Sequence, residues 1–172
     1  MARLYPPVSD RDQQAGNPDA PIILVEYGDF QCEHCGHAYP LIKRLLTEEG
    51  DHFLFAYRHF PLQEKHPAAY PAALAVEAAG KQGKFWEMYD LLFENQEYLN
   101  PNFLLDLAAS LELDLRRFAA DWKNPAIHRK VEGDFESGLR SGVNGTPTFF
   151  VNNERMIFDG SYSSLLHAVM MV

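Results

Sequence analysis

The run Ile22-Ile23-Leu24-Val25-Glu26-Tyr27 is aliphatic and β-branched with almost no polar alternation, the pattern of a strand covered on both faces of its sheet. Glu26 is its one charged residue. Gly28-Asp29-Phe30-Gln31 then turns the chain, and from Cys32 a helical period runs through Leu41, Leu45 and Leu46 until Gly50. A second strand, Phe53-Leu54-Phe55-Ala56-Tyr57, precedes Arg58-His59-Phe60-Pro61. Strand, helix and strand in this order predict a right-handed parallel β-α-β unit and an α/β fold class.

The period then changes. From His66 to about Ser141 only helical patterns occur, and Phe85, Met88, Tyr89, Leu92 and Phe93 form one apolar stripe. Asn100-Pro101 and Asn124-Pro125 each read as a capping side chain followed by proline at the first helical position. Phe103, Leu104, Leu107, Ala108 and Leu111 continue the first of these helices on one face. Ile127, Val131, Phe135 and Leu139 do so for the second, at every fourth position. Thr148-Phe149-Phe150-Val151 and Arg155-Met156-Ile157-Phe158 flank Asn152-Asn153-Glu154, a link suited to an antiparallel hairpin, and residues 161–172 predict a short closing helix. The expected organisation is an extended arm over 1–17, a core domain built from 18–64 and 142–172, and an all-helical insertion over 65–141.

Charge narrows the function classes. Lys and Arg total 15 against 24 Asp and Glu, a formal net charge of −9, which repels a phosphate backbone and anionic lipid headgroups. No nucleic-acid partner is expected. No segment approaches the roughly 20 apolar residues that span a bilayer, so no membrane insertion is expected either. Near the start, Arg3 is basic, but Pro6, Pro7, Ser9 and Asp10 interrupt any hydrophobic signal core. The chain as written points to the cytoplasm, and to the periplasm or extracellular space if it is a mature or shortened form.

The chain has 2 cysteines, Cys32 and Cys35, two residues apart. Bonded together they close so small a loop that the gain in stability is only about 2 kcal/mol, which favours chemistry over stapling. A thiol attacks a disulfide as its thiolate, and a helix N-terminus offers the positive potential that holds one. Cys32 falls there as the attacking thiol, and Cys35, one turn later and facing inward, suits a resolving thiol. A protonated or hydrogen-bonding His34 favours the thiolate, whereas Glu33 opposes it or serves only as a helix-start acid. No added cofactor is needed beyond a redox-active Cys32–Cys35 disulfide. The rival arrangement is zinc held by Cys32, Cys35 and His37, which lacks a local fourth ligand; no metal is expected.

Five segments together resemble the DsbA-like thiol-disulfide oxidoreductases of the thioredoxin superfamily. They are Gly16-Asn17-Pro18-Asp19-Ala20-Pro21, Gly28-Asp29-Phe30-Gln31-Cys32, Arg58-His59-Phe60-Pro61, Gly83-Lys84-Phe85-Trp86 and Gly145-Thr146-Pro147-Thr148-Phe149-Phe150. The resemblance implies a thioredoxin-like fold, a central mixed sheet flanked by helices, with the helical segment as its insertion. It also implies a cis peptide between Thr146 and Pro147 opposite the cysteines, where substrate backbone pairs, and Glu26 beneath them as a proton relay. Glu33 stands where the best-known periplasmic oxidase of the family has proline, and Thr146 where it has valine. Both leave the redox direction open. The implied partners are disulfide- or thiol-bearing proteins and an unidentified partner that resets the pair. The alternative is a peptide-binding module whose cysteines are vestigial or metal-bound.

Overall fold

The computed structural model describes residues 2–170. Five strands form one mixed sheet in the order β1-β3-β2-β4-β5. They are β1 (Gln13–Gly16), β2 (Ile22–Gly28), β3 (Phe53–His59), β4 (Thr148–Val151) and β5 (Glu154–Arg155). Strands β2 and β3 pair in parallel across helix α1 (Glu33–Glu49), as the β-α-β pattern predicts. The β1–β3, β2–β4 and β4–β5 pairs are antiparallel. Between β3 and β4 lie α2 (Ala69–Gly80), α3 (Phe85–Glu94), a 3-10 turn (Gln96–Tyr98), α4 (Pro101–Ser110), α5 (Leu115–Trp122) and α6 (Pro125–Arg140). Helix α7 (Tyr162–Met170) closes the described chain. The last two residues of the predicted closing helix lie outside the described residues.

Alternation along the central strands divides the core in two. Leu24, Phe53, Phe55, Tyr57 and Phe149 face α1, α7 and most of the helical segment. Val25, Tyr27, Ala56 and Phe150 face the other way, against Leu4, Phe60 and Phe135. Helix α6 therefore serves as a layer on the second face of the sheet: Phe135 stacks on Phe60 at 4.4 Å between ring centroids, and Tyr27 Oη lies 2.8 Å from Ser137 Oγ.

Both predicted asparagine caps form. Asn100 accepts from the Phe103 N–H and Asn124 from the Ala126 N–H, with proline at the first helical position of each helix.

Three expectations need correction. Residues 1–17, expected as an extended arm preceding the core domain, are part of it: Gln13–Gly16 add an edge strand to β3, and Leu4 is buried. Two glutamines and a glycine carry no strand pattern, so β1 is held by main-chain pairing and by its neighbours. Trp86 Nε1 donates to the Gln14 carbonyl at 2.9 Å, and the nearly buried Arg58–Asp12 ion pair at 2.7 Å ties the arm to β3. In α6, Leu139 is 56% exposed although it continues the every-fourth-residue series. Each such step overshoots a full turn by about 40°, so after three steps the side chain has left the buried face. The hairpin is also shorter than predicted. Asn152 and Asn153, with φ of 46° and 72°, make a tight turn, Glu154 already belongs to β5, and Ile157 stands 91% exposed beyond the ladder.

Gly138 shows how closely the second face is packed. A Cβ there meets the Phe60 ring at 2.7 Å and the Tyr27 ring at 3.2 Å. Alanine gains at most about 1 kcal/mol of helix propensity, whereas overpacking costs about 1–3 kcal/mol. Gly138→Ala is therefore expected to destabilise the protein by about 1 kcal/mol in urea unfolding, and a raised midpoint contradicts this packing.

Candidate active site

β2 delivers the chain to the site. After Gly28, Asp29 is buried and organises the loop through its own carboxylate: Oδ1 accepts from the Gln31 N–H at 2.7 Å, and Oδ2 from the Leu62 N–H at 3.0 Å. Asp29 Oδ2 also lies 2.8 Å from His66 Nδ1. The Asp29 carbonyl accepts from the Cys32 N–H at 3.1 Å. From the helical segment, Gln96 Nε2 donates to the carbonyls of Phe30 at 2.9 Å and Cys32 at 2.7 Å. Asp29 and Gln96 thus hold the cysteine loop, and sequence reasoning assigns neither that role. The Asx-turn chemistry of Asp29 was a local signal for it; Gln96, 64 residues from Cys32, left none.

Cys32 caps α1 with extended backbone, φ −75° and ψ 124°, and Cys35 lies fully buried in the first turn. Both are free thiols. Cys32 is 5% exposed, and its Sγ lies 3.5 Å from the Thr146 carbonyl oxygen. The Thr146–Pro147 peptide bond is cis. The structure thus brings Cys32, Cys35, Thr146 and Pro147 together. His34 and His37 are exposed, and with Thr146, Pro147, Phe158 and Asp159 they line a shallow cleft of about 360 Å³. Glu33 is exposed on the helix start. Among the described residues no three His, Cys, Asp or Glu side chains converge as metal ligands.

The two thiols are pushed in opposite directions. Donation from the Cys35 thiol, with smaller contributions from the backbone N–H groups of Cys35 and His34, lowers Cys32 from 9.0 to about 5, against the opposing effect of burial. His34 therefore supports the thiolate through its backbone N–H. Its exposed side chain lines the cleft beside Thr146 and Pro147. Burial raises Cys35 well above the ordinary thiol range, and its hydrogen bond to Cys32 and the charge of Glu26 add to this. Glu26 itself is 1% exposed, in the middle of β2 between Tyr57 and Phe149. Burial first, then the charge of Cys32, pushes it up to about 8.

The site thus combines a thiol favoured as thiolate, a buried second thiol and a buried acid. The family model described as Thioredoxin matches residues 9–169. The chain belongs to the thioredoxin family. Its structural neighbours place it in the DsbA-like branch. BdbD from Bacillus subtilis, in its oxidised form, superposes with a TM-score of 0.85 over 99% of this chain and 97% of that one, at 24% identity. A thioredoxin-like oxidoreductase from Silicibacter pomeroyi gives 0.85 over 94% and 91%, at 25% identity. α-DsbA1 from Wolbachia pipientis gives 0.72 over 90% and 81%, at 26% identity.

Curated relatives carry a different name. A Na(+)/H(+) antiporter NhaA 1 from Salinispora arenicola is 44% identical over 160 residues, which is 93% of this chain but 24% of that protein. NhaA from Herminiimonas arsenicoxydans is 42% identical over 162 residues, 94% of this chain and 25% of that protein. The chain spans about a quarter of the length of the curated relatives it matches, so the likeness is to one part of each. Among the described residues, no helix is long and apolar enough to cross a membrane.

The opposed thiols predict a pH signature. Alkylation of the reduced protein by iodoacetamide is expected at Cys32 alone, with a rate that rises through about pH 5 and is level near neutrality. The lowered Cys32 value also sets a sign for stability. Its contribution to the reduced form is complete above the unfolded thiol value, shrinks as pH falls from 9.0 and is gone below about 5. Reduced-minus-oxidised stability, read from urea midpoints, should therefore fall across that window. A midpoint of alkylation above pH 8 contradicts the site electrostatics.

Proposed function

We propose that this protein is a thiol-disulfide oxidoreductase of protein substrates, working through the Cys32/Cys35 pair and favouring disulfide donation. The observation that carries this is the divergence of the two thiols: Cys32 is stabilised as thiolate at the mouth of the site, and Cys35 is held as thiol beneath it.

In the donating direction, a substrate thiolate attacks Cys32 Sγ of the Cys32–Cys35 disulfide. The substrate–Cys32 bond forms, the Cys32–Cys35 bond breaks, and Cys35 leaves with the electron pair. Glu26, protonated up to about pH 8, gives Cys35 its proton. A second substrate thiolate then attacks the substrate sulfur, and Cys32 leaves as the stable thiolate while the substrate becomes oxidised. A low value at the leaving sulfur speeds this step. Thr146 and Pro147, facing Cys32, accept the extended substrate backbone, and the cleft by His34 and Phe158 takes its neighbouring side chains. No added cofactor takes part, and an external disulfide or quinone-type oxidant resets the pair. Such a partner and a substrate thiol pool fit an oxidising compartment.

The lowered Cys32 value supports the donating direction. Holding Cys32 near 5 stabilises the reduced form at pH 7 by on the order of 2–3 kcal/mol relative to an ordinary thiol, or ~60 mV for a two-electron couple. Equilibration with glutathione should place the pair at roughly −220 mV or higher, above the roughly −270 mV of thioredoxin. A value at or below the latter overturns the donating direction.

Insulin-disulfide reduction by the reduced protein tests the chemistry apart from its direction. Cys32→Ser should lower the rate at least ~100-fold, because the nucleophile is lost. Equal rates for wild type and variant sink the oxidoreductase reading.

A further inference from the structure

Gly36 and Gln96 fit one another across the start of α1. Glycine inside a helix is unfavourable relative to alanine, and Gly36, at the end of the first turn, has no left-handed backbone to require it. The reason for it lies outside the helix. A Cβ there would run into Gln96 Oε1 and come within 3.1 Å of Gln96 Cδ. The missing side chain leaves the room in which the Gln96 carboxamide lies. There Gln96 Nε2 meets two acceptors, the carbonyls of Phe30 at 2.9 Å and Cys32 at 2.7 Å. Both are carbonyl oxygens, so only the nitrogen end of the carboxamide can face them, with one hydrogen for each.

The Cys32 carbonyl also accepts the Gly36 N–H at 3.0 Å, the first hydrogen bond of α1. Gln96 therefore grips the helix at its opening residue and the loop two residues before it. It is itself set in place. It opens the 3-10 turn directly after α3, where Asn95 Nδ2 donates to the Leu91 carbonyl at 2.9 Å, and Leu99 beyond the turn is buried. Phe93 packs on Phe30 at 4.9 Å between ring centroids, so apolar contact brings the two segments together and holds the carboxamide near its acceptors.

The two redox states need this grip unequally. In the oxidised protein a disulfide ties Cys32 to Cys35 and closes the first turn of α1 covalently. In the reduced protein both thiols are free and no covalent link holds that turn. Yet the backbone N–H groups of His34 and Cys35 must stay aimed at Cys32 Sγ for its thiolate to be favoured. We propose that Gln96, in the room that Gly36 leaves, is a positioning residue for Cys32: it keeps the first turn of α1 ordered when the disulfide is open and so favours the reduced form of the pair. This rests on the reading of Cys32 and Cys35 as the exchanging pair. A contact that stabilises one redox state more than the other moves the equilibrium between them by that difference, whereas one that stabilises both alike moves nothing.

The test compares wild type with Gln96→Leu, a variant of similar shape without the donors, by equilibration with glutathione and by the pH profile of Cys32 alkylation. Gln96→Leu should move the glutathione equilibrium about fivefold toward the disulfide, or ~20 mV for a two-electron couple. The alkylation midpoint should rise by about 0.7 pH unit, the same factor read on the thiolate. Urea unfolding should show the reduced form losing more stability than the oxidised form. An equilibrium within about 1.5-fold of wild type overturns the proposal, and so does an equal loss of stability in both redox states, which is what a merely structural contact gives. Gly36→Ala reaches the same point from the other side and serves alone if Gln96→Leu does not fold, since its Cβ displaces the carboxamide. It should give shifts in the same direction in the otherwise wild-type chain and none when Gln96→Leu is already present. No shift in Gly36→Ala, or shifts that add in the double variant, overturn the proposal. Insulin reduction separates its failure from that of the underlying function. Equal rates for wild type and Cys32→Ser remove the oxidoreductase reading and this proposal with it, whereas an active wild type whose potential Gln96→Leu leaves unchanged removes the proposal only.

Discussion

Everything at the site depends on an acid placed where charge is expensive. β2 is flanked by β3 and β4 and covered on both faces, so Glu26 has no route to solvent along its own strand. A carboxyl so placed protonates near neutral pH, the property that the proposed proton exchange with Cys35 requires. The same burial that stabilises the sheet thereby raises this acid into the neutral range. Stability and function share one strand, and the charged residue in that strand is tolerated because it spends much of its time neutral.

The helical segment between β3 and β4 does more than add a lobe. Gln96 holds the cysteine loop by two carbonyls, the Ala68 N–H donates to Gln31 Oε1 at 2.8 Å, and Tyr89 and Phe93 pack on Phe30 behind the cysteines. Helix α6 closes the far face. The loop carrying Cys32 is thus clamped from a part of the chain that supplies no reacting atom. Clamping of this kind fixes the helix N-terminus that favours the thiolate and keeps Thr146 opposite it. It also explains why the likeness to solved oxidoreductases extends over nearly the whole chain: the layers around the cysteines are one packed unit.

Sequence patterns carried most of the architecture because they rest on local periods. The apolar run of β2 around Glu26, the Phe85–Phe93 stripe and the two Asn-Pro helix starts all form as their spacing predicts. What they could not carry is pairing without a pattern. Polar β1 exists because β3 offers it an edge, and Arg58, buried against Asp12 and Tyr27, draws the arm inward. Leu139 was misplaced because a strict four-residue step drifts off a 3.6-residue helix.

Cys32 and Cys35 at a helix start, after a buried strand with one acid, follow from the order of residues alone, since helix periodicity and the two-residue spacing are local facts. The contrast between the two thiols does not. Thr146 reaches Cys32 across 114 residues, Gln96 across 64, and Tyr57 meets Glu26 only through strand register. Burial, which raises Cys35 and Glu26, is a property of the assembled layers and of no segment within them. The sequence by itself determined which atoms could react. The tertiary structure decided which of them holds the charge, because desolvation and distant donors arise only when far-separated residues pack together.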